Sequence, residues 1–311
     1  MRKWILSIMA VAAMVIAADL AVGMAGDALM WRMPDSGTFE SDLNQALNHK
    51  CADVLILGSS KAKHHYVPQV LADSLQMSVY NAGADGHDVA YASMVLQSWL
   101  TRCRPRMVVL DICNSMVNGD WVANSIGDVK CHYGANRAVT RHVDACGDWR
   151  LRLKLHSSLY RLNGCEVWLT KAYLKGRLPK PSDGYSPLHG SDMEPGVTTY
   201  GPFSPSPTEV EQLHAIARLC RQHGIALRMV LSPNHEIDNG MRRWLAAEAR
   251  RSGVALTDFT ERPDLWADRY YKDRGHMNHT GAVKFTSAMA PLLRADAAKA
   301  GRRLANVWQN E

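Results

Sequence analysis

The chain has 311 residues, 47% of them hydrophobic, and a formal charge of +6. That length fits one large domain or two small ones, and that composition supplies a buried core. The charge is modest and spread out, with no basic run interleaved with aromatics, which speaks against nucleic acid as a partner.

The first 26 residues stand apart. Arg2 and Lys3 precede an uncharged run from Trp4 to Ala18, Asp19 interrupts it, and apolar residues continue to Gly26. Two readings compete: a signal peptide cut at a small residue, or an uncleaved anchor, since Trp4 to Ala25 is long enough to span a bilayer. No clean A-x-A site follows the apolar core, which favours the anchor. Either way the two cations stay cytoplasmic and the body is exported, so the cell membrane is the expected location, with secretion after cleavage as the alternative.

The body, from residue 36 to 311, alternates strand and helix. "SGTFESDLNQALNHK" reads as a short helix. "DVLIL" is an apolar run bounded by Gly58 and reads as a buried strand. "VPQVLADSL" follows as a helix, then "MSVYNAG" as a strand, "DVAYASMVLQSWLTRC" as a helix and "RMVVLDIC" as a third strand. Later, "TEVEQLHAIARLCRQHG" places Val210, Leu213, Ile216, Ala217 and Cys220 on one helical face. "IALRMVLSPN", "MRRWLAAEARRSG", "VALTDFT" and "TGAVKFTSAMAPLLRADA" complete the alternation as strand, helix, strand, helix. This rhythm predicts an α/β fold with a five-stranded parallel sheet and helices on both faces, a flavodoxin-like three-layer sandwich behind an N-terminal transmembrane helix.

Residues 115 to 206 break the rhythm and read as an insertion after the third strand. "WRLRLKLHSSLYRL" has the pattern of one amphipathic helix. The stretch from Leu178 to Pro207 is rich in Pro, Gly and Ser and reads as loop. Trp121, Tyr133, Trp168, Tyr185 and Tyr200 give the insertion aromatic surface that can stack on a sugar ring or simply hold it together.

Seven cysteines are present and none forms a C-x-x-C pair, so no zinc site is expected. Cys51, Cys103, Cys113 and Cys220 lie in or beside apolar segments and read as small hydrophobes. Two of Cys131, Cys146 and Cys165 can pair in an exported protein.

The chemistry-bearing residues fall at predicted strand ends. Ser59 and Ser60 follow the first strand and Gly58, where one is either a helix cap or a nucleophile. Gly83 and Gly86 follow the second strand, where a backbone N–H can approach a ligand closely. Asn114 follows the third and is either an anion donor or a turn cap. Asp273 stands three residues ahead of His276, so its carboxylate can accept from imidazole Nδ1–H and leave Nε2 to act as base. Lys61, Lys63, His64 and His65 read as solvated or helix-packing residues rather than metal ligands. His235, in the loop after the fourth strand, can touch a substrate, although an ordinary loop histidine is the safer reading, and Asn278 is a further candidate for substrate contact.

Taken together these blocks resemble the SGNH/GDSL hydrolase superfamily, in its membrane-anchored Gly-Ser-Ser branch. Gly58-Ser59-Ser60 matches the nucleophile block with Ser59 in the place of Asp. Asn81 with Gly86 matches the second block, and Asp273-x-x-His276-x-Asn278 the last. The third block departs, with Asn114 about one residue early and Asn118 a poorer alternative. The resemblance spans residues 53 to 114 and 208 to 293. It implies a serine esterase or acyltransferase with Ser60, His276 and Asp273 as catalytic residues. It also implies an oxyanion hole from Ser60, Gly86 and Asn114, with Ser59, Asn278 and His235 near the substrate. No cofactor or metal is expected. The expected partners are the membrane and an ester substrate such as an O-acetylated envelope polysaccharide or lipid. The rival is a non-catalytic envelope protein that kept the fold and binds a glycan or partner.

Overall fold

The computed structural model describes residues 1–118, 122–179, 181–194, 203–236 and 238–308, so Trp121 and Tyr200 lie outside the described residues. The chain begins with α1 (Arg2–Trp31), a helix long and apolar enough to cross a membrane, followed by α2 (Phe39–Asn44). The alternating part runs β1 (Val54–Leu57), α3 (Ser60–His65), α4 (Pro68–Leu75), β2 (Val79–Asn81), α5 (Val89–Trp99) and β3 (Met107–Asp111). It resumes with α12 (Pro207–Gln222), β4 (Ala226–Leu231), α13 (Asn239–Ser252), β5 (Ala255–Asp258) and α14 (His279–Trp308). Between them lie α6 (Asn114–Val117), α7 (Val122–Val129), α8 (Arg137–Asp144), α9 (Trp149–Leu155), α10 (Ser158–Leu162) and α11 (Cys165–Lys175).

The five strands form one parallel sheet in the order β2-β1-β3-β4-β5, as the alternation predicts. The two-residue period of each strand divides the core between the faces. Leu55, Leu57, Val108 and Leu110 pack with Trp99 of α5, Leu213 and Ile216 of α12 and Leu245 of α13. Val54, Ile56, Met107 and Val109 pack with Leu71 of α4 and Phe285, Met289 and Leu293 of α14. The strand order reverses between β1 and β3, and there the carboxyl ends of parallel strands open a crevice where ligands bind.

Three expectations are corrected. The sequence from Trp149 to Leu162 is two helices, because Ser157 stops the first and its hydroxyl accepts from the Tyr160 N–H to cap the second. Cys51 and Cys103 are not packed hydrophobes but a disulfide. Cys131 and Cys165, buried side by side on the insertion, remain thiols, as does the exposed Cys146.

Candidate active site

Ser60 is positioned by the end of β1. All four residues of that strand are buried, which fixes its direction. Gly58 then turns the chain with φ +151, wedged where a Cβ would lie 2.7 Å from both Ala62 Cβ and the Asp111 carbonyl. No other residue fits that conformation and that gap. Ser59 is extended and only 3% exposed, and its carbonyl accepts from Lys63 N–H as α3 begins. Ser60 is therefore the first helical residue. Its Oγ lies 2.7 Å from His276 Nε2.

His276 sits in the turn before α14. Asp273 holds that turn: its Oδ1 accepts from Gly275 N–H at 2.8 Å and His276 N–H at 2.9 Å. The same carboxylate faces His276 Nδ1 at 2.9 and 3.1 Å. A carboxylate accepts only, so Nδ1 carries the proton and Nε2 is left to accept from Ser60. The serine, histidine and aspartate thus form a continuous hydrogen-bonded chain. The His276 and Asp273 side chains are 29% and 48% exposed, so the chain is open to solvent.

The "KAKHHY" run supplies structure around this chain. His65 is fully buried, and its Nε2 accepts from the Met277 N–H at 2.9 Å, fixing the residue after His276. Burial, with the neighbouring His276 second, keeps His65 well below the usual histidine range, so it stays neutral and able to accept. Lys63 Nζ and His64 Nε2 bind Asp85 at 2.5 and 3.0 Å. Burial raises the Asp85 carboxyl, but bonds from His64 and Lys63 outweigh it and hold the group far below the usual carboxylate range. This fixes the loop that carries Gly86 against α3. Among the described residues, no group accepts from the N–H of Ser60 or of Gly86.

The remaining expected residues divide. Asn114 gives its amide to the Asp238 carboxylate, and its oxygen accepts from Asn118, so this side chain joins α6 to the start of α13. Asn278 donates to the carbonyls of Gly190, Arg269 and Tyr271 and accepts from Gly281 N–H. Its polar atoms hold the loop in place. His235 packs its ring on Tyr271 and Trp266; its N–H donates to Arg274 O and its carbonyl accepts from the Arg274 guanidinium. Tyr133 is buried in the main core, and Trp168 packs against a cluster formed by Met30 and Met33 with Cys165 and Leu169 of the insertion.

The insertion is expected to lie over the sheet edge that carries Ser60, and residues 183–192 are the part of it bonded there. Asp183 O accepts from Asn81 N–H, and Ser186 bonds both Lys63 O and His64 Nδ1. Leu188 O accepts from His279 N–H, Tyr185 Oη meets His279 Nδ1 at 2.9 Å, and Asp192 N–H reaches Lys272 O. This loop therefore straps α3 to the turn carrying His276. A separate cavity of about 720 Å³ lies between α5, α8 and α12, lined by Met94, His142 and Leu151 among others, and none of Ser60, His276 and Asp273 borders it.

Beneath the serine, Asp111 is buried at the end of β3 and accepts from Tyr66 Oη at 2.5 Å. Desolvation pushes its carboxyl up to about 6, against the pull of the Tyr66 bond and Lys61. Unfolded, the same group titrates near 3.8. Between those values the folded state binds more protons than the unfolded one, so this group's contribution falls as pH rises through that window. Asp111→Asn keeps an acceptor for Tyr66 and removes the ionisation. Its Tm relative to wild type is expected to climb between about pH 4 and pH 7; a difference that stays flat, or falls, contradicts the assignment.

No family model matches the chain, and no curated protein matches it. Among solved structures it is similar to a protein assigned to the G-D-S-L lipolytic family from Desulfitobacterium hafniense DCB-2. That match has 10% identity and a TM-score of 0.42, covering 78% of this chain and 98% of the other. It is also similar to a protein assigned as a platelet activating factor from Streptococcus pneumonia, at 10% identity and TM-score 0.41, covering 93% and 98%. A third is LAE5, an alpha/beta hydrolase enzyme from the metagenome of Lake Arreo, Spain, at 11% identity and TM-score 0.38, covering 79% and 95%. Matches this distant add no weight to a functional reading, which stands on the geometry of Ser60, His276 and Asp273.

Proposed function

We propose that the chain is an exported, membrane-tethered serine esterase or acyltransferase of the SGNH/GDSL type. The observation that carries this is the 2.7 Å approach of Ser60 Oγ to His276 Nε2, with Asp273 on the opposite ring nitrogen. Ser60 Oγ attacks an ester carbonyl while its proton passes to His276 Nε2. Asp273 holds the tautomer and stabilises the imidazolium. The N–H groups of Ser60 and Gly86 take the oxyanion, each such donor being worth about 10²–10³ in turnover. Collapse expels the alcohol, which takes the proton back from His276, and leaves an acyl-serine. Water or a sugar hydroxyl then attacks in the same manner. A binding-only protein has no need of this hydrogen-bonded chain.

The acyl group we favour is small, such as acetyl on an envelope glycan or lipid, with the 183–192 strap and Tyr185 beside the substrate. Arg2 and Lys3 ahead of α1 favour a body outside the cytoplasm, and the Cys51–Cys103 disulfide suits an oxidising compartment. Retention of α1 is favoured by its bonds to the body: Asp19 to residues 157–159 and Asp27 to Arg161. A cut between residues 19 and 27 would strip Asp19 from the start of α10.

The test uses the full-length protein with a short-chain aryl ester as donor, with and without a polysaccharide acceptor. Free acid alone marks hydrolysis, and a new sugar ester marks transfer. Neither product from a folded protein defeats the enzymatic reading. Asp85 offers a finer check. Asp85→Ala frees the Gly86 loop without touching the triad, so kcat is expected to fall roughly ten- to a hundredfold with KM little changed. An unchanged kcat removes that loop from the oxyanion hole.

A further inference from the structure

Apart from Met1 and α1, the large hydrophobic side chains that are exposed, among those whose exposure is described, all fall between Trp149 and Leu174. Trp149 and Leu153 stand out on α9, Leu159 and Tyr160 on α10, and Leu174, 84% exposed, on α11. A soluble surface scatters such residues, whereas a cluster marks a covered face.

Three features say what covers it. First, the cluster is continuous with α1. Asp19 accepts from Ser157 Oγ and from the N–H groups of Ser158 and Leu159, and so caps α10 from within the apolar helix. Gly23 and Gly26 let α10 approach: a Cβ on either would lie 2.3 Å from Ser158 Oγ or Leu162 Cδ1. Asp27 pairs with Arg161, and Tyr173 Oη donates to Leu29 O. No free linker separates the helix from the body. Second, the part of α1 before Asp19 rises about 25 Å at 1.5 Å per residue, close to a hydrocarbon thickness. The helices bonded to residues 19–29 then sit at the level of the lipid headgroups. Third, the charge suits anionic lipid. Between Trp149 and Arg177 the sequence has seven Lys or Arg residues and one acid, Glu166. Arg150 lies over the Trp149 ring and Lys154 over the Tyr160 ring, so aromatic and cationic groups share the face. Helices that lie in a bilayer interface have this mixture.

We propose that α9, α10 and α11 form an interfacial surface that lies in the bilayer α1 enters, with apolar and aromatic side chains at the acyl boundary and lysines and arginines on anionic headgroups. The inference rests on α1 being a retained anchor. It gives the insertion a role distinct from the strap: the body is held flat against the membrane.

The full chain is placed in phosphatidylcholine–phosphatidylglycerol nanodiscs with and without brominated acyl chains. Trp149→Phe and Trp4→Phe variants give each residue's emission by difference, and Leu174→Trp adds a reporter on α11. The expected result is that bromolipid lowers the emission of Trp4, Trp149 and the residue-174 reporter by roughly twofold or more, as burial 5–10 Å into the interface requires. Quenching of Trp4 alone overturns the interfacial surface and leaves the anchor standing. Quenching of none of them overturns both. A Trp149 that bromolipid spares but that is shielded from aqueous acrylamide, in nanodiscs that yield cross-linked dimers, assigns the face to a second copy and also overturns it.

Discussion

Ser60→Ala is expected to abolish ester turnover, by about 10⁴-fold or more, while Ser59→Ala leaves most of it. The two hydroxyls are neighbours in sequence but not in role. Ser60 Oγ is the group hydrogen-bonded to His276 Nε2. Ser59 is buried, and its side chain does not cap α3. Removing its hydroxyl therefore deletes neither a reacting atom nor a cap. Thermal unfolding of both variants, measured beside the kinetics, separates lost chemistry from lost structure. If Ser59→Ala is the inactive variant and Ser60→Ala retains turnover, the nucleophile has been misassigned.

The second large effect is expected at Asp273. Asp273→Asn retains an oxygen to accept from the Gly275 and His276 N–H groups, so the turn is preserved. What changes is the partner of imidazole Nδ1. If the amide oxygen stays with the two backbone N–H groups, its NH₂ faces Nδ1, which then accepts. The proton moves to Nε2, and His276 can no longer accept from Ser60. The expected loss in kcat is about 10²–10⁴-fold, the lower end reflecting the half-exposed carboxylate, since solvent can replace part of its charge. KM is expected to change little, because Asp273 acts through His276. Steady-state kinetics on a small aryl ester checks this. A variant within a factor of about two of wild type would show that Asp273 only shapes the turn.

The sheet was legible because strand-like runs rich in apolar residues alternate with segments that carry an apolar helical stripe, the clearest being Val54–Leu57 closed by Gly58. Parallel order followed from alternation alone. The three residues of the hydrogen-bonded chain were legible for a related reason: Gly58-x-Ser60 and Asp273-x-x-His276 are local patterns, each set within one turn, and the fold only has to bring two turns together. The features that were not legible depend on pairs distant in sequence. The Cys51–Cys103 bridge joins residues 52 apart whose flanks look like ordinary core. Lys63 and His64 reach Asp85 across two elements, so the run looked solvated until its partner was placed. Ser157 inside an amphipathic pattern was hidden by the pattern itself, and its use as a cap depends on Asp19. Asn114 and Asn278 carried the right residue type, but their amides serve the scaffold. Nothing in the Pro- and Gly-rich composition of residues 183–192 distinguishes a strap bonded to α3 and His279 from a free loop.

The central claim is that Ser60 is a nucleophile activated by His276, and covalent trapping tests it most directly. The full-length protein is treated with a fluorophosphonate, digested, and the modified peptide sequenced by mass spectrometry. The predicted result is a single stoichiometric adduct on Ser60, lost in Ser60→Ala and strongly slowed in His276→Ala. An adduct on Ser59, or an unmodified Ser60 in protein that is folded and solvent-accessible at His276, would contradict it.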